Sequence, residues 1–215
     1  MAIGEGHGCA IVDAMRPEPG IGVWMGSAFG AALLIAAAVL VFAGTGEHGT
    51  DAALAATARF SFLLFWGAYA GGAMAALFGP RFEKLRRRGR EFGLAFAAAH
   101  LVHLGLVGWL CYIGATPATG TFLFFGAAAG WVYVLALFSF RPTHRLLNAR
   151  AWWVMRTVGM NFIAYAFFVD FFRLPLVGAL HIVGYVPFTV LAVLGPVLRL
   201  AAFGMRLGGT QRARA

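Results

Sequence analysis

The feature that most constrains the fold of this chain is a series of six long apolar runs. They cover residues 21–44, 52–78, 92–114, 120–140, 152–172 and 174–203, and charged residues, glycine and proline separate them. A helix of roughly 20 apolar residues crosses a bilayer core about 30 Å thick. The runs are continuously apolar rather than alternating, and a membrane helix satisfies its own backbone groups. Each run therefore predicts a transmembrane helix and not a barrel strand.

The composition agrees with this prediction, since 61% of the residues are hydrophobic and only 12% are charged. Such a chain is unlike an ordinary soluble domain. We therefore predict an all-α, polytopic membrane protein built as a six-transmembrane-helix bundle over residues 21–203. Residues 1–20 lack a basic segment followed by an apolar one, so we interpret them as a cytoplasmic N-terminal tail rather than a signal peptide. Residues 204–215 are predicted to form a basic cytoplasmic tail.

The distribution of basic residues predicts the orientation, because Lys and Arg near helix ends favour the cytoplasmic side. They are concentrated between runs two and three, between runs four and five, and after run six. The loop after run one instead carries Glu47 and Asp51, and the loop after run three is neutral. Both termini are therefore predicted to be cytoplasmic. The short chain, rich in Ala, Gly and Arg, favours the inner membrane of a bacterium.

The net charge of +9 is carried mainly by the loops next to the membrane, so it predicts contact with anionic lipids rather than with nucleic acid. The chain contains no GxGxxG after a strand and no Walker, CxxC, HExxH or GxSxG motif. Its length is used almost entirely in crossing the membrane, so no flavin or nucleotide site is expected in this chain. Any redox or structural partner would then be a separate protein.

Glycines recur at four-residue spacing in two of the runs: Gly22, Gly26 and Gly30 in run one, and Gly67 and Gly71 in run two. Small residues at this spacing let helices approach closely. We expect these faces to pack inside the bundle, and contact with another subunit is the alternative.

Polar residues inside a membrane span are costly and so indicate functional sites. His100 and His103 share one face of run three, because residues three apart on a helix lie on the same side. His103 is close to the middle of the run, and a neutral imidazole there can ligate iron, transfer a proton or bond to a neighbouring helix. Of the other polar residues, Asn161 lies near the middle of run five. Asp170 and His181 lie towards the outer side, and snorkelling accounts for Arg59 and Arg156 near run ends.

Three segments of the chain carry a resemblance to a known family. They are "RRRGREFGLAFAAAHLVHLGLV", "FFGAAAGWVYVLALFS" and "ARAWWVMRTVGMNFIAYAFFVDFFR". They resemble the third, fourth and fifth helices of the ferric-reductase-like transmembrane domain, a family that includes the haem-binding membrane subunit of the bacterial methionine sulfoxide reductase system. The resemblance covers about residues 55–175. It implies that haem b is bound, with His103, at the family's spacing after Gly93, as the iron ligand.

The chain departs from the family pattern in run five, which carries no histidine. The family has histidines there, at the positions of Met155 and of the segment around Phe168. We therefore place the candidate cofactor-binding residues at His103, His100 and His181, with His103 as the metal ligand. His181 and Met155 are alternatives for the second axial ligand, and ligation through His103 alone also stays open.

Two functions follow from these observations. The first is a b-type-cytochrome-like electron-transfer protein, which would be at most the membrane component of an oxidoreductase system. The second is a haem-free structural or assembly subunit of a membrane complex, or a small-molecule carrier, built on the same fold. Paired histidines near the midplane favour the first function, and the missing histidines of run five favour the second.

Overall fold

A computed structural model describes residues 20–139, 147–172 and 179–212, with the side chains of residues 179–183 and 207–212 left out. The described residues contain six long helices and no strand. We label the helices α1 (Ile21–Ala43), α2 (Glu47–Phe78), α3 (Gly89–Tyr112), α4 (Thr119–Ser139), α5 (Ala149–Phe171) and α6 (Ala179–Arg212). A 3-10 turn, Pro80–Phe82, and a short helix, Glu83–Arg87, connect α2 to α3. The predicted N-terminal tail lies outside the described residues, apart from residue 20.

The predicted fold class is confirmed, because all six long helices are long and apolar enough to cross a membrane. The protein is an all-α membrane protein with six transmembrane helices. Helix α2 begins at Glu47 rather than at residue 52, and the carboxylate of Glu47 in its first turn interacts favourably with the helix dipole. Helix α6 continues to Arg212, beyond the end of the apolar run.

The helices form two tightly packed groups. Helices α1, α2 and α3 pack closely on one another, α4 packs on α5, and α6 joins the groups by packing on both α2 and α5. Helices α3 and α4 make fewer contacts than these pairs. The arrangement leaves a crevice between α3 and the α4–α5 pair, and both cavities described below lie in this crevice.

Hydrogen bonds between helices show that neighbours along the chain run antiparallel. Arg90 Nε, at the start of α3, donates to the Ser139 carbonyl at the end of α4 (2.9 Å). At the other end of the bundle, Trp109 Nε1 donates to the Thr45 carbonyl (3.0 Å). We call the end that holds the arginine-rich α2–α3 connection the basic side, and the other end the opposite side.

Close packing of small residues holds α1 against α2 and α3, but the face differs from the predicted one. Ala28, Ala32 and Ala36 are buried. A Cβ atom added at Gly22, Gly26 or Gly30 would meet nothing within 4 Å. The prediction that these three glycines pack inside the bundle is therefore wrong, because α1 is rotated so that its alanines form the contact.

The glycines of α2 do permit close approach, as predicted. A Cβ at Gly67 would lie 3.2 Å from the Phe92 ring, and one at Gly71 would lie 2.8 Å from Leu85 Cγ. Helix α2 can therefore pack closely against the start of α3 and against the connecting helix.

An aromatic core joins the two groups of helices. Phe62 and Phe65 of α2, Phe96 of α3, and Phe167 and Phe171 of α5 are all buried, and neighbouring rings have centroids 5.0–5.9 Å apart. Edge and offset contacts between aromatic rings stabilise packing beyond the burial of their area. This cluster fixes the width of the crevice between α3 and α5.

Candidate functional site

A cavity of about 430 Å³ occupies the crevice from the middle of the bundle towards the opposite side. Both histidines of α3 line it, and we call it the histidine cavity. The other walls come from α2, α4, α5 and α6 and combine small and aromatic side chains, among them Ala58, Gly126, Ala166, Phe125 and Phe167. Its volume lies within the range of small-molecule and cofactor sites, roughly 300–1,000 Å³.

His100 and His103 lie side by side on the wall formed by α3. Their ring centroids are 5.1 Å apart and the rings are nearly parallel, at 13°. Both side chains are half-buried, whereas their neighbours Ala99 and Val102 are buried. The predicted pairing of the two histidines on one face is confirmed, and this face borders the cavity.

A hydrogen bond from α2 holds the ring of His103. His103 Nδ1 lies 3.1 Å from Thr57 Oγ1. The Thr57 hydroxyl also lies 2.9 Å from the Ala53 carbonyl and 3.1 Å from the Leu54 carbonyl, and these groups can only accept. All the groups are satisfied when the hydroxyl donates to a carbonyl and its oxygen accepts from Nδ1–H of His103. This arrangement leaves the lone pair of His103 on Nε2.

His100 differs from His103 in having no such partner. Its Nδ1 atom is buried and makes no hydrogen bond in the described part of the chain. Its ring packs between Phe96 (centroids 5.6 Å apart) and Tyr133 (6.4 Å), and the Tyr133 hydroxyl is also buried without a described partner. Buried polar groups are normally satisfied, so the unpartnered nitrogen of His100 on the cavity wall marks a place where a ligand or water can bind.

Charged residues border the cavity towards the opposite side. Asp51 and Arg59 of α2 and Asp170 of α5 line it, and Asp170 is close enough to His103 to interact with it electrostatically. Arg59 Nε donates to the Gly184 carbonyl of α6 (3.1 Å), and its guanidinium lies 4.9 Å from the centre of the Tyr185 ring. These contacts hold Arg59 against α6 beside the cavity.

The other polar residues considered from the sequence lie elsewhere. Asn161 Oδ1 accepts a hydrogen bond from the Tyr69 hydroxyl (2.7 Å) and does not line the cavity. Met155 packs against the aromatic core and is likewise absent from the cavity wall. The side chain of His181 lies outside the described residues.

The sequence did not identify Thr57 as a site residue. The one feature that could have pointed to it is a hydroxyl group within an apolar run. Such a hydroxyl more often bonds to the backbone of its own helix, as the Thr57 hydroxyl also does. Its contact with His103 depends on how α2 is rotated against α3.

The donors around the cavity are few for a bare metal ion. No cluster of three or more His, Cys, Asp or Glu that could hold an ion occurs among the described residues. A haem brings four nitrogen ligands of its own, so one oriented imidazole is sufficient. The wall of α5 that faces the cavity consists of Ile163, Ala166, Phe167, Asp170 and Phe171 and offers no second imidazole or sulfur.

The fold and this site define a class, a six-helix membrane protein with a histidine-lined internal cavity. No family model, curated protein or solved structure matches the chain. The family resemblance noted in the sequence therefore stays a prediction.

Proposed function

We propose that this chain is a haem-binding membrane protein of the electron-transfer class, in which His103 would hold haem b through Nε2. The observation that carries the proposal is the Thr57–His103 hydrogen bond. Metal-ligating histidines almost always donate their other ring N–H to a neighbouring acceptor, which fixes the tautomer and orients the ring. The Thr57 hydroxyl meets that requirement from a second helix.

The other residues of the cavity would bind and shield the group. Phe96, Phe125 and Phe167 provide apolar walls that exclude water, which is how proteins adjust the potential of a buried haem. The positive charge of Arg59 suits the carboxylates of a porphyrin. Haem iron changes between its ferric and ferrous states, so a bound haem would carry one electron.

The arrangement of donors favours a single protein ligand. His100 shares the helix face of His103, so it would form part of the wall of the site rather than supply a ligand from another helix. The described wall of α5 offers no second donor, so His103 is the described side chain that would hold the group. The side chain of His181, the alternative on α6, lies outside the described residues.

The haem-free alternative has its own supporting observation. The missing donor on α5 is also what a structural or assembly subunit with the same fold would show. In that case the histidine cavity would serve packing or a small polar ligand.

The proposed membrane is the bacterial inner membrane, with the basic side in the cytoplasm. The arginines of the α2–α3 connection support this orientation. Electrons would pass from a cytoplasmic or quinone donor to an acceptor on the opposite side, through a separate redox partner protein.

The test is the visible spectrum and haem content of the purified protein, compared with His103→Ala and the control His48→Ala. His48 lies near the start of α2 and does not line the cavity. We expect a Soret band in the wild type and in His48→Ala, and its loss in His103→Ala. A colourless, folded wild-type protein that does not take up added haemin would favour the haem-free alternative.

A further inference from the structure

A second cavity, of about 530 Å³, occupies the same crevice on the basic side. Four arginines line it, Arg86, Arg87, Arg90 and Arg156, and we call it the arginine cavity. No acidic side chain is found among its described lining residues. Its deeper wall is apolar and includes Phe65, Leu135 and Ile163. The cavity therefore combines concentrated positive charge with an apolar interior.

Two of the four arginines are partly neutralised by Glu83. Arg86 forms a bidentate pair with this carboxylate (2.8 and 2.6 Å), and Arg87 Nε also donates to it (3.2 Å). These hydrogen bonds hold the pKa of Glu83 below its usual range, so the carboxylate stays charged at neutral pH. The group of three side chains therefore keeps a single net positive charge.

The other two arginines have donors to spare. Arg90 uses Nε to bond the Ser139 carbonyl, which leaves its two terminal nitrogens for another acceptor. Arg156 has no hydrogen bond or ion pair to any residue that the structure describes. Both guanidinium groups border the same cavity.

Arg156 lies in the part of α5 nearest the basic side. It is seven residues after the first residue of α5, Ala149, which is about 10 Å along the helix axis, and it is exposed at the helix surface. Arg199 of α6 is close enough to add a like charge, with its guanidinium held over the Tyr69 ring (4.4 Å). These neighbouring positive charges favour an anion from the surroundings as their partner.

We infer that the arginine cavity binds an anionic membrane phospholipid, with its phosphate held by Arg90 and Arg156 and an acyl chain against the apolar wall. Guanidinium groups bind phosphate oxygens through paired, charge-assisted hydrogen bonds. Basic pockets between transmembrane helices on the cytoplasmic side suit such head groups. A free phosphate would use the arginines but would leave the apolar wall of Phe65, Leu135 and Ile163 without a role. The inference does not depend on whether haem is bound.

The test measures the lipid that stays bound when the protein is purified from bilayers of phosphatidylcholine and phosphatidylglycerol. Native mass spectrometry would compare the wild type with Arg156→Gln and Arg90→Gln. The matched controls, Arg81→Gln and Arg150→Gln, remove the same charge on the basic side but do not line the cavity. We expect the wild type and the controls to retain phosphatidylglycerol in preference to phosphatidylcholine. Each cavity variant should lower its retention by about tenfold or more, because a charge-assisted hydrogen bond is lost.

Several outcomes would overturn the inference. One is equal retention of the two lipids by the wild type. Another is an equal loss of bound phosphatidylglycerol in Arg156→Gln and Arg150→Gln. That result is expected if Arg156 only snorkels to bulk lipid head groups. Complete displacement of phosphatidylglycerol by inorganic phosphate would show a phosphate site with no use for the acyl chain. If Arg156→Gln does not fold, Arg90→Gln decides on the same criterion.

Discussion

At the scale of single residues, the two neighbouring histidines of α3 have different surroundings. His103 has one ring nitrogen bonded to Thr57, whereas His100 has a buried nitrogen with no described partner. Both rings border the same cavity. His103 is therefore the proposed haem ligand, and His100 is proposed to form part of the wall of the site.

The role of Thr57 can be tested with a substitution that keeps its shape. Thr57→Val removes the hydroxyl, so the His103 ring loses the acceptor that fixes its tautomer. We expect haem affinity to fall roughly 10–100-fold, as is usual when such a partner is removed. Titration of the apoprotein with haemin measures this change.

Ser61 supplies a matched control for Thr57. It lies one turn further along α2, is also buried, and its hydroxyl makes no described hydrogen bond. Ser61→Ala should leave haem affinity unchanged. An equal loss of haem affinity in Thr57→Val and Ser61→Ala would mean that any change in the polarity of α2 weakens haem binding. The proposed role of Thr57 would then be wrong.

The candidate site also shows how far a sequence can predict chemistry. The spacing of His100 and His103 was sufficient to place both on one face near the middle of α3. The partners of these rings were not predictable, because Thr57, Arg59 and Asp170 lie on other helices. Whether such residues meet depends on the rotation and depth of each helix, and apolar composition constrains neither.

At the scale of helices, the six apolar runs predicted α1 to α6 to within a few residues at most ends. The length of an apolar run reports directly on the thickness of a bilayer. The packing faces were harder to predict, since α1 uses Ala28, Ala32 and Ala36 rather than its glycines. In a helix that is apolar all round, hydrophobicity does not show which face is buried.

The close packing of α2 can be tested with two adjacent glycines. An added Cβ at Gly71 would lie 2.8 Å from Leu85 Cγ and 3.2 Å from the Leu85 carbonyl oxygen, whereas one at Gly72 would meet nothing within 4 Å. Overpacking typically costs about 1–3 kcal/mol, and replacing an unhindered helical glycine by alanine gains up to about 1 kcal/mol. Gly71→Ala should therefore lower thermal stability and Gly72→Ala should raise it slightly. An equal change in thermal stability in both variants would contradict this packing.

At the scale of the whole molecule, the two cavities follow one another along a single crevice. Phe96, Val132 and Ile163 line both of them and form the partition. The histidine cavity extends towards the opposite side, and the arginine cavity lies on the basic side. The bundle thus separates the proposed haem site from the proposed lipid site.

The proposed orientation can be tested by labelling single cysteines from outside the cell. In a protein with Cys9 and Cys111 replaced by serine, Lys84→Cys lies in the basic connection and Thr116→Cys in the neutral loop after α3. Since the basic side is proposed to be cytoplasmic, a membrane-impermeant maleimide should label only Thr116→Cys in intact spheroplasts. Labelling of Lys84→Cys alone would invert the orientation.

The measurement that tests the central claim most directly is the spectrum of the dithionite-reduced protein before and after addition of carbon monoxide. If His103 alone holds the haem, carbon monoxide could also bind to it, so we predict a Soret band that shifts on adding the gas. We also predict that His103→Ala lacks both the band and the shift. A reduced spectrum that carbon monoxide leaves unchanged would contradict the single ligand, and the absence of any Soret band after addition of haemin would contradict the haem site itself.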